Sequence, residues 1–171
     1  MDRDEDEQPP NRLTHVTEGG DAKLVDIGAK SDRRRRAVAS GCLRLQPETI
    51  EAIASDELSK GDVLPTVRIG AIQAVKHTWE AIPLCHQIPI TDVETDIDLE
   101  TERVRLTVAV ETLGKTGCEM EALHGVSTGL NVLWDMTKAA EKDAHGQYPD
   151  TRIEEIEVTE KFVEGRPPQK A

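Results

Sequence analysis

The sequence predicts an α+β fold in which a mainly antiparallel sheet carries helices packed on one face. Residues 103–113 alternate apolar and polar side chains, which is typical of a strand with one buried face. Residues 119–142 repeat apolar side chains at helical spacing instead. The predicted elements run strand, helix, helix, strand, strand, helix, strand, and this order is ferredoxin-like in outline.

The first half of the chain is predicted to hold one strand and two helices. Residues 22–36, which end in four arginines, are expected to be irregular, and residues 37–46 form the first strand. Pro47 begins a helix over 47–58, because proline is tolerated in the first helical turn. A second helix is expected from about 62 to 80.

The second half is predicted to hold a hairpin, a long helix and a last strand. Residues 88–99 pair with the alternating strand that follows, and residues 152–163 form the last strand. Gly125 and Gly129 cost helix stability unless another element packs closely against them. The apolar stripe of the long helix is expected to be buried, and it consists of Leu123, Val126, Leu130 and Leu133.

Chain length and composition indicate one domain of ordinary size. The chain has 171 residues, of which 37% are apolar, and this is enough to build a core. Residues 1–12 are acidic and contain almost nothing to bury, so we expect a disordered tail. Residues 13–165 are expected to form a single α+β catalytic domain, and residues 166–171 a flexible C-terminus.

Charge and motif content exclude several classes of protein. There are 33 acidic and 21 basic residues, and the net charge of -12 repels nucleic acid and anionic membranes. The acidic composition also indicates a protein that stays hydrated in concentrated salt. The sequence shows no signal peptide, no apolar run long enough to span a membrane and no disulfide framework. We therefore expect a cytoplasmic protein.

The stretch LGKTGCEMEAL, residues 113–123, resembles a phosphate-binding loop at first sight. Such a loop needs a glycine separated by four residues from the Gly-Lys-Thr run, and Ala109 occupies that position. What remains is a strand-to-helix turn whose Glu119 and Glu121 balance the helix dipole, or an anion site at the start of that helix.

Two further pairs of side chains carry alternative interpretations. Cys85 and His86 lie in an apolar run between two prolines, where they either fill the core or place a histidine donor at a phosphate. Asp135 and Lys138 lie one helical turn apart, so they form either a surface salt bridge or a proton-exchanging pair.

Basic residues cluster in spite of the acidic composition, and the interpretations are a salt-bridged surface or a pocket for a polyanionic small molecule. The basic positions are Arg33 to Arg36, Lys60, Arg68 and Lys76.

No metal site is expected, because no CxxC or HxxxH pair exists.

Several segments together resemble the cyclic pyranopterin monophosphate synthase family of molybdenum cofactor biosynthesis. They include KGDVLPTVRIGAIQAVKHTW, IPLCHQIPI, KTGCEMEAL and WDMTKAAEK, in this order, and the resemblance runs from about Leu13 to Lys142. The resemblance implies a ferredoxin-like enzyme that rearranges a 3′,8-cyclised dihydro-GTP into cyclic pyranopterin monophosphate and releases diphosphate. It also implies a homohexamer, a trimer of dimers, with sites at subunit interfaces. It implies no tightly bound cofactor, although Mg²⁺ could accompany the triphosphate.

The resemblance assigns roles to particular positions. Asp135 and Lys138 match the catalytic aspartate and lysine of the family, and Lys60 matches the lysine of its Lys-Gly-Asp element. Positive charge over the triphosphate could come from Lys60, Arg35 and Lys76. The other implied substrate-binding residues are Leu84, Cys85, His86, Glu119, Met120, Glu121 and Arg35.

The chemistry of these side chains agrees with this assignment. Lys138 and Asp135 can donate and accept protons during ring opening and closure, and Glu119 or Glu121 can accept from the N–H groups of a guanine-like base. We expect the site residues to converge around one polyanionic substrate, with contributions from a neighbouring protomer.

The C-terminal segment EKFVEGRPPQK departs from the family, which usually ends in Gly-Gly-Lys-Ser-Gly. Lys161 or Arg166 would have to replace the lysine of that segment, or the contact is lost. The alternatives to the enzyme are a nucleotide-binding module without turnover and a metal-binding protein.

Overall fold

A computed structural model of the chain describes residues 19–165 and the backbone of residues 169–170. The predicted tail at 1–12 and most of the predicted flexible C-terminus lie outside these residues. The elements are β1 (Arg33–Arg44), α1 (Pro47–Ala54), α2 (Val63–Lys76), α3 (Thr78–Ala81), β2 (Ile90–Leu99), β3 (Arg103–Gly114), α4 (Glu119–Thr137), β4 (Arg152–Val163) and β5 (Gln169–Lys170).

The strands form one antiparallel sheet in the order β2-β3-β1-β4-β5. On β3, Val104, Leu106, Val108 and Val110 have no exposed surface and face the helices. The predicted α+β fold, with helices packed on one face of an antiparallel sheet, is confirmed. β5 was not predicted, because two residues carry no periodic pattern. No helix within residues 19–165 combines the length and the apolarity needed to cross a membrane.

The prediction that Arg33 to Arg36 are irregular was wrong, because these residues open β1. A run of four arginines shows no alternation in sequence, yet its members alternate in space. Arg36 forms ion pairs with Glu160 and Glu111 on the neighbouring strands, at 3.1 and 3.9 Å, whereas Arg35 points inward and is buried. Ion pairs with the neighbouring strands therefore stabilise this part of β1, where the sequence has no apolar alternation.

The helices were also predicted to extend too far at their C-terminal ends. α1 ends at Ala54, and Asp56 has a φ of 59°, a left-handed conformation that ends the helix. The helix expected over 62–80 is broken at His77. α4 ends at Thr137, with Lys138 as its C-cap, so the chain after Lys138 is a loop.

α4 crosses the sheet and is covered by α2, and its two glycines permit the close approach. A Cβ on Gly129 would lie 2.4 Å from Leu106 Cδ2, and one on Gly125 would lie 2.8 Å from Val75 Cγ2. The expectation that something packs closely against these glycines is confirmed. The predicted apolar stripe of α4 also packs into the core, with Val126, Leu130 and Leu133 fully buried and Leu123 partly so.

Candidate functional site

Most of the predicted site residues lie near one end or the other of α4. The carboxyl-end cluster consists of Lys60, Asp135 and Lys138. The amino-end cluster consists of Arg35, Cys85, Glu119, Glu121 and Lys161. Glu121 and Asp135 are about four helical turns apart, or roughly 20 Å along the axis. Within one chain, these residues therefore form two separate clusters rather than one convergent site.

In the carboxyl-end cluster, one carboxylate binds two ammonium groups. Lys138 Nζ lies 2.6 Å from Asp135 Oδ1, and Lys60 Nζ lies 2.8 Å from Oδ2. Lys60 reaches the pair from the segment between α1 and α2, and it also donates to the Asp135 carbonyl at 2.5 Å. The Asp135 side chain is 56% exposed, so a ligand can reach all three groups.

Electrostatics fix the protonation states of the carboxyl-end cluster. Hydrogen bonds from Lys138 and Lys60 lower the pKa of Asp135 to about 2. The hydrogen bond to Asp135 raises the pKa of Lys138. At neutral pH Asp135 is therefore a carboxylate and Lys138 an ammonium group, so Lys138 can donate a proton but cannot remove one.

The amino-end cluster combines two carboxylic acids with two cationic side chains, and its buried members are Arg35 and Glu121. Glu121 is 4% exposed, and burial raises its pKa to about 7, with a smaller contribution from the charge of Glu119. Burial, and then the charge of Glu121, raises the pKa of the Cys85 thiol. Burial raises the pKa of Cys118 to about 12, and its Sγ donates to the Val110 carbonyl at 3.2 Å. Neither thiol is a ready nucleophile, because the thiolate is disfavoured.

Arg35 shapes the turn that leads into α4. Its Nε donates to the Gly114 carbonyl at 3.1 Å, and its Nη2 donates to the Lys115 carbonyl at 3.4 Å. This arginine therefore orients the turn that carries Glu119, whose carboxylate forms an ion pair with Lys161 of β4. Lys161 thus lies in the amino-end cluster, where the sequence offered it only as one of two replacements. The other, Arg166, lies outside the described residues.

His86 contacts the N-terminal segment of the described chain. Its Nε2 lies 2.7 Å from the Val25 carbonyl, so Nε2 carries a proton and donates it, and Nδ1 remains for a ligand. Leu84 is half-buried nearby in sequence, and Met120 is exposed in the first turn of α4. Lys76 is exposed at the end of α2 and forms none of the ion pairs that define the two clusters.

Tyr148 lies beside the carboxyl-end cluster and was missed by the sequence reasoning. Its ring packs edge to face against Trp134, with centroids 5.7 Å apart, and Lys142 Nζ lies 5.9 Å from its centroid. Its charged form also contributes to the raised pKa of Lys138. Tyr148 comes from the loop after α4, which has no periodic pattern to direct attention to it.

The sequence model of the MoaC family matches residues 24–163. The chain belongs to the MoaC family. It is 65% identical over 151 residues to a probable cyclic pyranopterin monophosphate synthase of Natronomonas pharaonis. The matched region covers 88% of this chain and 94% of the relative. A protein of Pyrococcus furiosus with the same description is 50% identical over 155 residues, or 91% and 99% of the two chains.

A third relative, from Methanothermobacter thermautotrophicus, is described as a probable cyclic pyranopterin monophosphate synthase accessory protein. It is 49% identical over 149 residues, or 87% of this chain and 93% of the relative. Both clusters of this MoaC-family chain lie within the matched residues. Among the residues that the structure describes, no three His, Cys, Asp or Glu side chains are grouped to hold a metal ion.

Proposed function

We propose that this MoaC-family chain is a cyclic pyranopterin monophosphate synthase of molybdenum cofactor biosynthesis. The reaction converts the 3′,8-cyclised dihydro derivative of GTP into cyclic pyranopterin monophosphate and diphosphate, which makes the enzyme a phosphorus–oxygen lyase. The names of the relatives support this proposal. The observation that carries it is the exposed Asp135 carboxylate between two ammonium groups on a protein of net charge -12.

The carboxyl-end cluster supplies the chemistry that the reaction needs. Ammonium groups stabilise the negative charge that accumulates on a departing diphosphate, and Lys60 and Lys138 present two of them. Lys138 can donate its proton to a reacting atom, and Asp135 then stabilises the returning ammonium form. Asp135 thus keeps both lysines in place while leaving the site positively charged.

The amino-end cluster suits the base end of the substrate. A guanine-like edge presents N–H donors, and the carboxyl groups of Glu119 and Glu121 accept them. Because burial raises the pKa of Glu121 to about 7, this group can also exchange a proton near neutral pH. His86 can offer Nδ1 to the same ligand.

The distance between the clusters supports a site shared by two protomers. The roughly 20 Å along α4 is too long for both clusters of one chain to act on one reacting ring. We propose that the amino-end cluster of one protomer faces the carboxyl-end cluster of another, within a homohexamer built from dimers. We place the enzyme in the cytoplasm, and we propose that any Mg²⁺ arrives on the triphosphate, since no grouped ligands are found among the described residues.

The second candidate function is a nucleotide-binding module without turnover. The relative described as an accessory protein favours it, and so does the departure at the C-terminal segment. Such a module would bind the cyclised GTP derivative and release no diphosphate.

The deciding experiment is incubation of the purified protein with the cyclised GTP derivative. Diphosphate release, and formation of the cyclic phosphate product by mass spectrometry, are expected for the enzyme. Binding measured by calorimetry without diphosphate release would instead identify the module. A preparation that neither binds nor converts the compound would contradict both functions.

A further inference from the structure

Glu141 is a fully buried carboxylic acid residue just beyond the candidate catalytic pair. It lies three residues after Lys138 and has no exposed surface. A buried carboxylate is costly unless its oxygens accept hydrogen bonds, and an apolar side chain of similar volume often stabilises a fold as well. The presence of a carboxylate at this position therefore calls for an explanation beyond simple packing.

The hydrogen bonds of Glu141 join three separate parts of the chain. The Gln46 backbone N–H donates to Oε1 at 3.1 Å and to Oε2 at 3.4 Å. The Thr151 hydroxyl donates to Oε2 at 2.5 Å. Gln46 is the N-cap of α1, and Thr151 directly precedes β4. One side chain thus connects the segment after α4 to the beginnings of α1 and β4.

This anchor acts on the backbone that carries Lys138. The Lys138 N–H donates to the Trp134 carbonyl at 2.8 Å, and the Ala140 N–H donates to the Thr137 carbonyl at 2.9 Å. Helix ends fray, because their last carbonyls lack helical partners. Glu141 follows Ala140 directly, so the last turn of α4 and the anchor hold the Lys138 backbone from both sides.

The rest of the loop is also ordered and returns to the cluster. Asp143 Oδ1 accepts from the N–H groups of His145 and Gln147, both at 2.8 Å. Tyr148 then packs against Trp134, one residue before Asp135. The loop is therefore fixed by the hydrogen bonds of Glu141, and it packs against α4 beside the carboxyl-end cluster.

We infer that Glu141 is a positioning residue for Lys138: by tying the chain after α4 to α1 and β4, it holds the Lys138 ammonium group on the Asp135 carboxylate. Its effect on turnover rests on the proposed function, but the state of the Lys138 amine can be measured without turnover. An amine released from a carboxylate has a lower pKa and reacts faster with an acylating reagent.

The test compares Glu141→Leu with Glu141→Gln. Leucine removes the hydrogen bonds from both donors, whereas the glutamine amide can accept from Gln46 and donate to the Thr151 hydroxyl, which keeps the anchor without the charge. Competitive acetylation, followed by mass spectrometry, gives the rate at Lys138 relative to the exposed Lys76 in the same molecules.

Glu141→Leu is expected to raise this relative rate about threefold or more, since half a pKa unit changes the free-amine fraction that much. Its kcat is expected to fall about 10- to 100-fold, with KM changed less than about threefold, as for a misplaced catalytic group. Glu141→Gln is expected to stay close to wild type in both measurements.

A Glu141→Leu protein that melts at lower temperature but keeps the wild-type acetylation ratio and kcat would reduce Glu141 to a structural residue and overturn the inference. If Glu141→Leu fails to fold, Thr151→Val removes one of the two donors and must show the same changes to a smaller degree; an unchanged ratio and kcat would overturn it equally. If wild type releases no diphosphate, the proposed function fails, and the acetylation ratio still decides the role of Glu141.

Discussion

At the scale of single residues, Asp135 is explained by chemistry better than by stability. A negative charge near the C-terminal end of a helix opposes the helix dipole, and exposed ion pairs stabilise a fold very little. Asp135 nevertheless stands in the last turn of α4 and binds two lysines. We therefore interpret Asp135 as the group that would orient two cations towards the proposed substrate.

Replacing Asp135 with asparagine is expected to lower kcat about 100-fold or more, because neither lysine retains its ionic partner. Substrate binding is expected to be kept or strengthened, since a negative charge is removed from a site for a polyanion. Diphosphate release and calorimetry measure the two effects. The melting temperature should hardly change, because the side chain is exposed.

Asn131→Ala is the matched control for this substitution, one turn earlier on an exposed position of α4. It is expected to leave kcat within about twofold of wild type, like other surface changes away from a site. An Asp135→Asn enzyme with wild-type kcat would remove the carboxyl-end cluster from the mechanism.

Glu121 gives the protein a predictable pH dependence. Its pKa is raised from 4.5 in a solvated chain to about 7 in the fold, so between these values the folded protein holds a proton that the unfolded chain has lost. The contribution of Glu121 to the free energy of unfolding is therefore fully present below about pH 4.5. It is lost as the pH rises to about 7, and the loss is roughly 3 kcal/mol at most. Glu121→Gln removes the titration and should flatten this part of the profile.

Guanidinium unfolding of wild type and Glu121→Gln at several pH values between 4.5 and 7.5 measures this effect. The difference between the two proteins isolates the contribution of Glu121 from those of all other groups. A difference that does not change with pH would show that Glu121 ionises normally in the fold.

At the scale of elements, α4 decides where the site residues lie. Its first turn carries Glu119 and Glu121, its last turn carries Asp135, and Lys138 caps it. Its position depends on Gly125 and Gly129, which let it approach α2 and the sheet. The same helix therefore sets both the packing and the spacing of the two clusters.

Gly129→Ala tests this packing. The new methyl group would lie 2.4 Å from Leu106 Cδ2 and 3.2 Å from Ala71 Cβ. Overpacking costs about 1–3 kcal/mol, and the better helix propensity of alanine offsets about 1 kcal/mol, so the net change is expected to be destabilising. Thermal unfolding measures it, with the exposed Asn131→Ala as the helix-propensity control. A rise in melting temperature for Gly129→Ala would show that α4 is packed less tightly than described.

At the scale of the whole molecule, the two clusters are complementary but too far apart within one chain. The carboxyl-end cluster is exposed and holds two ammonium groups on one carboxylate, whereas the amino-end cluster combines two carboxylic acids with Arg35 and Lys161. Symmetric association would bring the two ends of different protomers together twice in each dimer. We therefore expect the proposed activity to depend on assembly.

Subunit mixing tests this dependence. Asp135→Asn damages one cluster and Glu121→Gln the other, and each variant alone is expected to have little activity. After dissociation and reassembly of an equal mixture, about a quarter of the shared sites should combine two intact clusters and regain activity. Diphosphate release before and after mixing measures the recovery.

The matched control mixes Asp135→Asn with Lys138→Ala, which damage the same cluster and should restore nothing. Equal behaviour of the two mixtures would contradict a shared site. Sedimentation of the reassembled proteins shows whether oligomers have formed.

The sequence by itself determined the fold class and predicted the contact between Asp135 and Lys138. Clean alternation on β3 and the apolar stripe of α4 are local patterns, so they are visible without tertiary information. Asp135 and Lys138 are one turn apart on a helix, and their contact follows from helical geometry alone. Helix ends and the four arginines of β1 were predicted wrongly, because caps and cross-strand ion pairs depend on distant partners.

Only the tertiary structure decided which distant residues meet. Lys60 reaches Asp135 across 75 positions of sequence, and Lys161 reaches Glu119 from another strand. The raised pKa of Glu121 and the burial of Glu141 likewise arise from packing, which no short window of sequence records. The physical reason is that local periodicity fixes the direction of a side chain within its own element, whereas burial and partners depend on how the elements pack together.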